Sequence, residues 1–154
     1  STNALPEARD VALRRRMMKR DAETKGYLTM IENITPRFLH PESVRDGRAA
    51  RVMRQQAREV GFHAFLQHQQ AMINRADNRD IARNISCPTV VMVGDQDIVT
   101  PVSGHEELTE LIPDAGLSVV PGCGHMITLE NPLATAQTLR KLMVKQVSTV
   151  SRAA

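Results

Sequence analysis

An aspartate and a histidine have the clearest chemical potential in this sequence, because each follows a segment that predicts a β-strand. Asp97 ends the turn 94–97, and His125, 28 residues further on, ends the turn 121–125. The carboxyl ends of neighbouring parallel strands meet at one edge of a sheet, so we expect the two side chains to lie together. The carboxylate would accept the Nδ1 proton of His125 and stabilise the imidazolium. Nε2 would then be left to take a proton from a nucleophile or from water.

Two strands and two helices must position this pair. Residues 89–93 form a continuous apolar run with β-branched members, which predicts a strand buried on both faces, and residues 117–120 predict a second strand. A helix from Pro101 to about Ile112 separates them, so the unit is a right-handed crossover between parallel strands. An Asn-Pro pair at 131–132 predicts the start of a last helix. Two strands alone cannot cover their own edges and faces, so the remaining strands must come from elsewhere.

The first 80 residues predict helices alone, since no stretch of alternating β-branched residues occurs among them. From residue 81 onward the character changes to the strand-containing pattern described above. The first half is therefore expected to be an all-helical layer. The predicted helices run from Pro6 to about Thr24 with Asn3 as the cap, from Tyr27 to Asn33, from Glu42 to about Val60, and from Phe62 to about Ile73.

The segments around the aspartate and the histidine share their pattern with a known family. Residues 87–101 resemble the penultimate strand and acid loop of the α/β-hydrolase superfamily, commonly C-P-x-L-x-L-x-G-x-x-D-x-x-T-P. Residues 112–115 and 120–132 resemble its last strand and histidine loop. The resemblance implies an α/β fold class, the C-terminal part of an α/β-hydrolase fold, with a helical cap followed by strand-helix-strand-helix and parallel strands. Residues 1–80 would be the cap or lid region, and residues 81–154 the C-terminal part of the core.

The family's catalytic triad runs nucleophile, acid and histidine along the chain, so Asp97 and His125 match its last two members. Asp95 is the rival for the acid, but the family pattern favours Asp97 and makes Asp95 a turn residue. No G-x-S-x-G occurs, and no serine lies on a strand-to-helix elbow. The nucleophile and the oxyanion hole are therefore expected outside this chain. The start at Ser1 without a methionine fits a piece of a longer protein.

The resemblance implies a hydrolase that acts on an ester, lactone or similar acyl bond, with Asp97 orienting His125 as the general base. Its partners would be a small ester-like substrate and the missing N-terminal half of the fold. The sequence does not decide whether the protein forms a homo-oligomer. The chain alone is expected to be inactive. Relatives with this fold cleave epoxide, carbon–halogen or carbon–carbon bonds, and the fold alone cannot choose among them. A different class is a non-catalytic, truncated interaction module that binds another chain through its exposed strand edge.

Composition favours a soluble, cytoplasmic protein. Hydrophobic residues make up 42% and charged residues 24%, close to the averages of globular proteins. No apolar run approaches the ~20 residues of a membrane helix, so no membrane partner is expected. The net charge of +3 is small, and acidic residues flank the basic cluster of the first helix, so nucleic acid is not expected as a partner either. The pattern implies no cofactor and no metal.

Other reactive residue types have a structural interpretation. Cys87 and Cys123 are expected to be reduced, buried thiols. The family resemblance implies that Cys123 is a small packed residue and not a nucleophile. His105 predicts a surface position on its helix, and Glu130 is expected to support the histidine loop or the last helix. Three further histidines fall among polar helical positions without a metal-ligand partner: His40, His63 and His68.

Overall fold

The first half of the protein is helical in the computed structural model, which describes residues 3–150 and the side chains through residue 144. This confirms the helical character that the sequence predicts for this half. None of the helices in the described part combines the length and the apolarity that a membrane crossing requires. In chain order the half contains α1 (Arg9–Lys25), α2 (Tyr27–Ile34), a 3-10 turn (Thr35–Phe38), α3 (Pro41–Asp46), α4 (Arg48–Ile73) and α5 (Arg79–Arg83).

Glycines interrupt the helices of this layer, and Gly26 separates α1 from α2 as the sequence predicts. Gly47 has φ 73° and Gly61, inside α4, has φ 76°, values that residues with a Cβ rarely adopt. The predicted continuous helix from Glu42 to Val60 is therefore wrong, because the chain turns at Gly47 and divides it into α3 and the first part of α4. The break at Gly61 agrees with the separate helices predicted on its two sides.

The start of the first helix also differs from the prediction. Helix α1 begins at Arg9 and not at Pro6, and Asn3 does not cap it. The Oδ1 atom of Asn3 instead accepts a hydrogen bond from the backbone nitrogen of Leu5 at 3.2 Å. The carbonyl oxygen of Ala4 accepts a 2.8 Å hydrogen bond from the backbone nitrogen of Asn78, which lies far away in the chain. This long-range bond has no local sequence signal.

The helical layer packs around an aromatic and methionine core. Ala22, Met30 and Phe65 are buried together. The ring of Tyr27 lies 5.2 Å from that of Phe65, centroid to centroid, and its hydroxyl donates to the carbonyl oxygen of Ala57 at 3.0 Å. The apolar body of this tyrosine thus fills the core while its polar end is satisfied, and α1, α2 and α4 are joined into one layer.

The second half is the strand-helix-strand-helix unit that the sequence predicts. The ladder of its two parallel strands begins with Thr89 opposite Ala115. The second strand starts earlier than the predicted Leu117, because the nitrogen of Thr89 also donates to the carbonyl of Asp114 at 2.9 Å and extends the pairing. A short helix before the last one was not predicted. The elements are β1 (Thr89–Gly94), α6 (Val102–Leu111), β2 (Ala115–Val120), α7 (Ile127–Glu130) and α8 (Pro132–Val150).

Strand β1 has a paired neighbour on one side only within the described residues. Val91 and Val93 are buried, whereas Val90 and Met92 are only partly buried. Val90, Val91 and Met92 line an open, mainly apolar cavity of about 790 Å³. The prediction of burial on both faces is therefore only partly correct, because Val90 and Met92 are only partly buried beside this cavity. Large apolar side chains of α8 are exposed as well: Leu133, Leu139 and Met143.

The end of β1 lies against the loop after β2 at a very short backbone distance. The nitrogen of Gln96 donates to the carbonyl of Cys123 at 3.0 Å, which joins the two loops. A Cβ built on Gly94 would overlap the backbone of Cys123 and Gly124. Only glycine fits at position 94, because the neighbour is backbone and cannot turn away as a flexible side chain could.

We therefore expect Gly94→Ala to lower the free energy of unfolding by about 3 kcal/mol, the upper range for overpacking. The matched control is Gly104→Ala in α6, where an added Cβ meets no atom within 4 Å. That control should be neutral or stabilising by up to about 1 kcal/mol, because alanine favours helix. Urea unfolding followed by circular dichroism measures both, and equal stabilities of the two variants would contradict the close approach.

Candidate active site

The turn after β1 surrounds the carboxylate of Asp97 with hydrogen-bond donors. Its Oδ1 atom accepts from the backbone nitrogens of Val99 and Thr100, each at 2.9 Å. Its Oδ2 atom accepts from the Thr100 hydroxyl, also at 2.9 Å. Aspartate favours this kind of turn because its side chain bonds backbone two residues further on. Asp97 is only 4% exposed, and these bonds are what make a buried carboxylate tolerable.

His125 lies in the loop after β2 and directs Nδ1 at the same carboxylate. Nδ1 is 2.9 Å from Oδ2 of Asp97 and 3.2 Å from the Thr100 hydroxyl oxygen. The Thr100 hydroxyl already donates its hydrogen bond to Asp97. The Thr100 hydroxyl oxygen and Oδ2 of Asp97 can therefore only accept from the imidazole, so the neutral ring bears its proton on Nδ1. Among the described residues none hydrogen-bonds to Nε2. The ring is 19% exposed, so Nε2 is available for proton transfer.

The electrostatics keep Asp97 ionised. Burial by itself raises the pKa of this carboxyl, but the hydrogen bond and charge of His125 and the two bonds from Thr100 outweigh that effect. The pKa of Asp97 is therefore held well below its usual range. An ionised carboxylate on Nδ1 orients the imidazole and stabilises the cation that forms when Nε2 takes up a proton. This arrangement can support base chemistry at Nε2 with Asp97 as the orienting group.

Comparison with known proteins identifies the fold that presents this pair. The sequence profile of the family described as alpha/beta hydrolase fold matches residues 12–132. This chain belongs to the α/β-hydrolase fold family. The predicted resemblance and the predicted α/β class with parallel strands are both confirmed.

Several hydrolases of this fold have been solved or curated. An esterase from Thermogutta terrifontis has TM-score 0.83 and 26% identity, and the match covers 94% of this chain and 53% of the esterase chain. The enol-lactonase from Burkholderia xenovorans LB400 has TM-score 0.79 and 19% identity, with coverages of 93% and 54%. Monoacylglycerol lipase ABHD6 of Bos taurus is 34% identical over 65 residues, which are 42% of this chain and 19% of the lipase. This α/β-hydrolase chain therefore spans about half the length of the solved structures that it matches.

Two other candidate residues of the α/β-hydrolase loops have structural roles. Asp95 is exposed, and its Oδ1 atom accepts from the backbone nitrogen of Cys123 at 3.2 Å, so it closes a turn between the loops. Cys123 is 1% exposed. Burial raises the pKa of its thiol to about 11, and the charges of Glu130 and Asp95 act in the same direction. At neutral pH this thiol is protonated and therefore a poor nucleophile.

Two predictions about individual residues are wrong. His105, predicted at the surface, is 1% exposed, because it lies on the inner face of α6 with Leu108, followed by the buried Ile112 directly after the helix. Its Nδ1 atom lies 3.0 Å from the carbonyl of Pro101. Cys87, predicted to be buried, is exposed in the loop before β1. Within the described part of the chain, no cluster of three or more histidine, cysteine or acidic side chains could hold a metal ion.

Sequence reasoning missed two residues that contact the pair. Thr100 lies inside the family pattern at 87–101, so a signal was present: a hydroxyl residue three positions after the aspartate that it bonds. Phe38 comes from the helical half, and its ring meets the imidazole of His125 edge-on, with centroids 5.4 Å apart and an interplanar angle of 69°. No local pattern indicates that contact, because the two residues are far apart in the chain.

Asp97→Asn should reverse the tautomer of His125. The backbone nitrogens of Val99 and Thr100 require an acceptor at the position of Oδ1, which turns the amide NH₂ of an asparagine towards the imidazole. That NH₂ group can donate only to an unprotonated Nδ1, so the ring proton moves to Nε2. Imidazole ¹⁵N spectra measure the change. Asp95→Asn is the matched control and should leave the proton on Nδ1, and an unchanged tautomer in the Asp97→Asn variant would contradict the orienting role.

The lowered pKa of Asp97 also predicts an acid-dependent stability. A carboxyl whose folded pKa lies below its unfolded value of about 4 stabilises the fold fully above that pH, and the stabilisation is lost as the pH falls towards the folded pKa. At pH 7 we expect Asp97→Asn to be less stable than wild type by about 1.5–3 kcal/mol, the range for a hydrogen bond to a charged group. Urea unfolding from pH 7 to pH 3 should show this difference narrowing below about pH 4. A difference in the free energy of unfolding that stays constant from pH 7 to pH 3 would contradict the lowered pKa of Asp97.

Proposed function

We propose that this chain supplies the acid and the base of a hydrolase that acts on an ester, lactone or similar acyl bond, with Asp97 orienting His125. The observation that carries the proposal is the 2.9 Å contact between Nδ1 of His125 and Oδ2 of Asp97 at the carboxyl ends of two parallel strands. The likeness to the Thermogutta terrifontis esterase and to monoacylglycerol lipase ABHD6 supports acyl substrates.

In the proposed reaction, Nε2 of His125 takes the hydroxyl proton of a serine as the serine oxygen adds to the acyl carbon. The tetrahedral intermediate collapses to an acyl-enzyme, and the imidazolium returns the proton to the departing alcohol. Water then attacks the acyl-enzyme with His125 as its base, which releases the acid and restores the serine. Asp97 stays ionised throughout and stabilises the imidazolium in both halves of the reaction.

The serine and the oxyanion donors belong, in this proposal, to the N-terminal half of the fold, which would be a partner of the described residues. The open side of β1 and its apolar cavity of about 790 Å³ support the proposal, because an unpaired strand edge beside apolar surface requires a cover in water. Residues 1–80 would then act as the cap or lid region and residues 81–154 as the C-terminal part of the core.

The test joins the chain to the sequence encoded in frame before Ser1 and measures hydrolysis of short-chain p-nitrophenyl esters and of a lactone. His125→Ala should lower kcat by roughly 10⁴-fold or more, the range for loss of a triad base. The matched control is His68→Ala, which removes an exposed histidine of α4 and should retain full activity. A serine-directed fluorophosphonate should label the joined protein.

The chain by itself is expected to give no turnover above background. Hydrolysis by the 154 residues alone that depends on His125 would contradict the proposed division of the triad. Acyl hydrolysis by the joined protein that survives His125→Ala, or a complete failure to hydrolyse acyl substrates, would overturn the proposed function itself. Labelling by epoxides instead of fluorophosphonate would indicate an aspartate nucleophile and the alternative chemistry.

A further inference from the structure

One carboxylate joins the histidine loop to the helical layer. Oε1 of Glu130 accepts from the backbone nitrogen of Gly124 at 2.9 Å, directly before His125. Its Oε2 atom accepts from the backbone nitrogen of His40 at 2.6 Å, and His40 precedes α3 in the helical half. Because both oxygens belong to one rigid group, they fix the distance between two backbone segments that are far apart in the chain.

A second set of bonds joins the same two segments. The carbonyl oxygen of Phe38 accepts from the backbone nitrogens of both His125, at 2.9 Å, and Met126, at 3.3 Å. A Cβ on Gly124 would lie 2.8–2.9 Å from the backbone of residues 38–40, so no side chain separates the two segments. Segment 38–40 therefore follows the backbone of the histidine loop at hydrogen-bonding distance.

These bonds are strong enough to determine where the imidazole lies. Hydrogen bonds from backbone nitrogens to an ionised carboxylate are shorter and about twice as strong as neutral ones. The loop reaches Glu130 through the short helix α7, which begins two residues after His125 and ends at Glu130. The ring of His125 is otherwise held by Asp97 and Thr100 at Nδ1 and by the edge of Phe38. Phe38 therefore contacts both the backbone and the ring of His125, whereas Asp97 and Thr100 hold the ring and Glu130 holds the adjacent backbone.

We propose that Glu130 and Phe38 are positioning residues that lock the histidine loop to segment 38–40 of the helical layer, so that the place of the imidazole depends on that layer. The proposal rests on the proposed function only in taking His125 as the base. It implies that segment 38–40 moves together with the histidine loop and does not open away from it as part of a mobile lid.

The first experiment measures backbone amide exchange in the full chain by NMR for wild type, Glu130→Ala and Glu130→Gln. In Glu130→Ala we expect exchange at Gly124 and His40 to accelerate about tenfold or more, since each amide loses a charged acceptor, with a smaller acceleration at His125. Exchange in β1, at Val91 and Val93, should stay within twofold of wild type. Glu106→Ala, which removes an exposed glutamate of α6, is the matched control and should change none of these rates.

Glu130→Gln keeps one acceptor oxygen and the shape of the side chain. It should accelerate exchange at one of the two amides while leaving β1 unchanged, so the proposal stays testable if Glu130→Ala unfolds the chain. Phe38→Leu removes the ring but keeps the carbonyl. We expect it to shift the imidazole proton resonances of His125 through the lost ring current, with the amide exchange of His125 within twofold of wild type.

Exchange at Gly124, His40 and His125 that stays within twofold of wild type in the folded variants would overturn the lock. So would an acceleration that is uniform over the loop and β1 in both Glu130 variants, because that result reports global stability alone. These readouts need no turnover, so they can fail while the proposed function stands. In the joined enzyme Glu130→Ala should lower kcat about tenfold with KM within twofold, and an unchanged kcat despite faster exchange would overturn the positioning role.

Discussion

The buried charge of Asp97 is the constraint on which the rest of this half depends. A carboxylate that is 4% exposed is stable only if its oxygens find donors, and here the backbone of Val99 and Thr100, the Thr100 hydroxyl and His125 supply them. Three of these four bonds arise inside one turn, so most of the donors that the carboxylate needs are local in sequence. His125 is the one donor that must arrive from elsewhere, and the packing of the second half serves to bring it there.

That packing depends on two glycines, each of which allows two backbone segments to approach closely. Gly94 lies against the backbone of the histidine loop, and Gly124 in that loop lies against segment 38–40. The end of β1, the histidine loop and the helical layer are therefore stacked without side chains between them. Such stacking leaves little room for movement between the loop that carries Asp97 and the loop that carries His125.

Sequence reasoning succeeds here where the signal is local and fails where it is not. The strands and the Asp97–His125 pair follow from apolar runs, turn residues and a spacing that a known family shares. The burial of His105 could have been predicted from its helical spacing to Leu108 and Ile112. The contact of Phe38 with His125 could not, because nothing in the pattern near residue 38 specifies which distant loop it meets. The support that Glu130 gives to the histidine loop agrees with the sequence prediction, but its bond to the nitrogen of His40 joins distant segments and has no local signal.

The orientation of the imidazole and the alignment of Nε2 with a nucleophile depend on different parts of the fold. The orientation of the imidazole is determined wholly by described residues, since its partners at the ring and the backbone all lie between Phe38 and Glu130. In the proposed enzyme, the alignment of Nε2 with a nucleophile would depend instead on the partner half that covers the open side of β1, because His125 lines the same apolar cavity as β1. In the proposed enzyme, a base that is preorganised in this way would need only rigid-body docking to become productive, because folding of the described residues has already offset the entropy of fixing the imidazole.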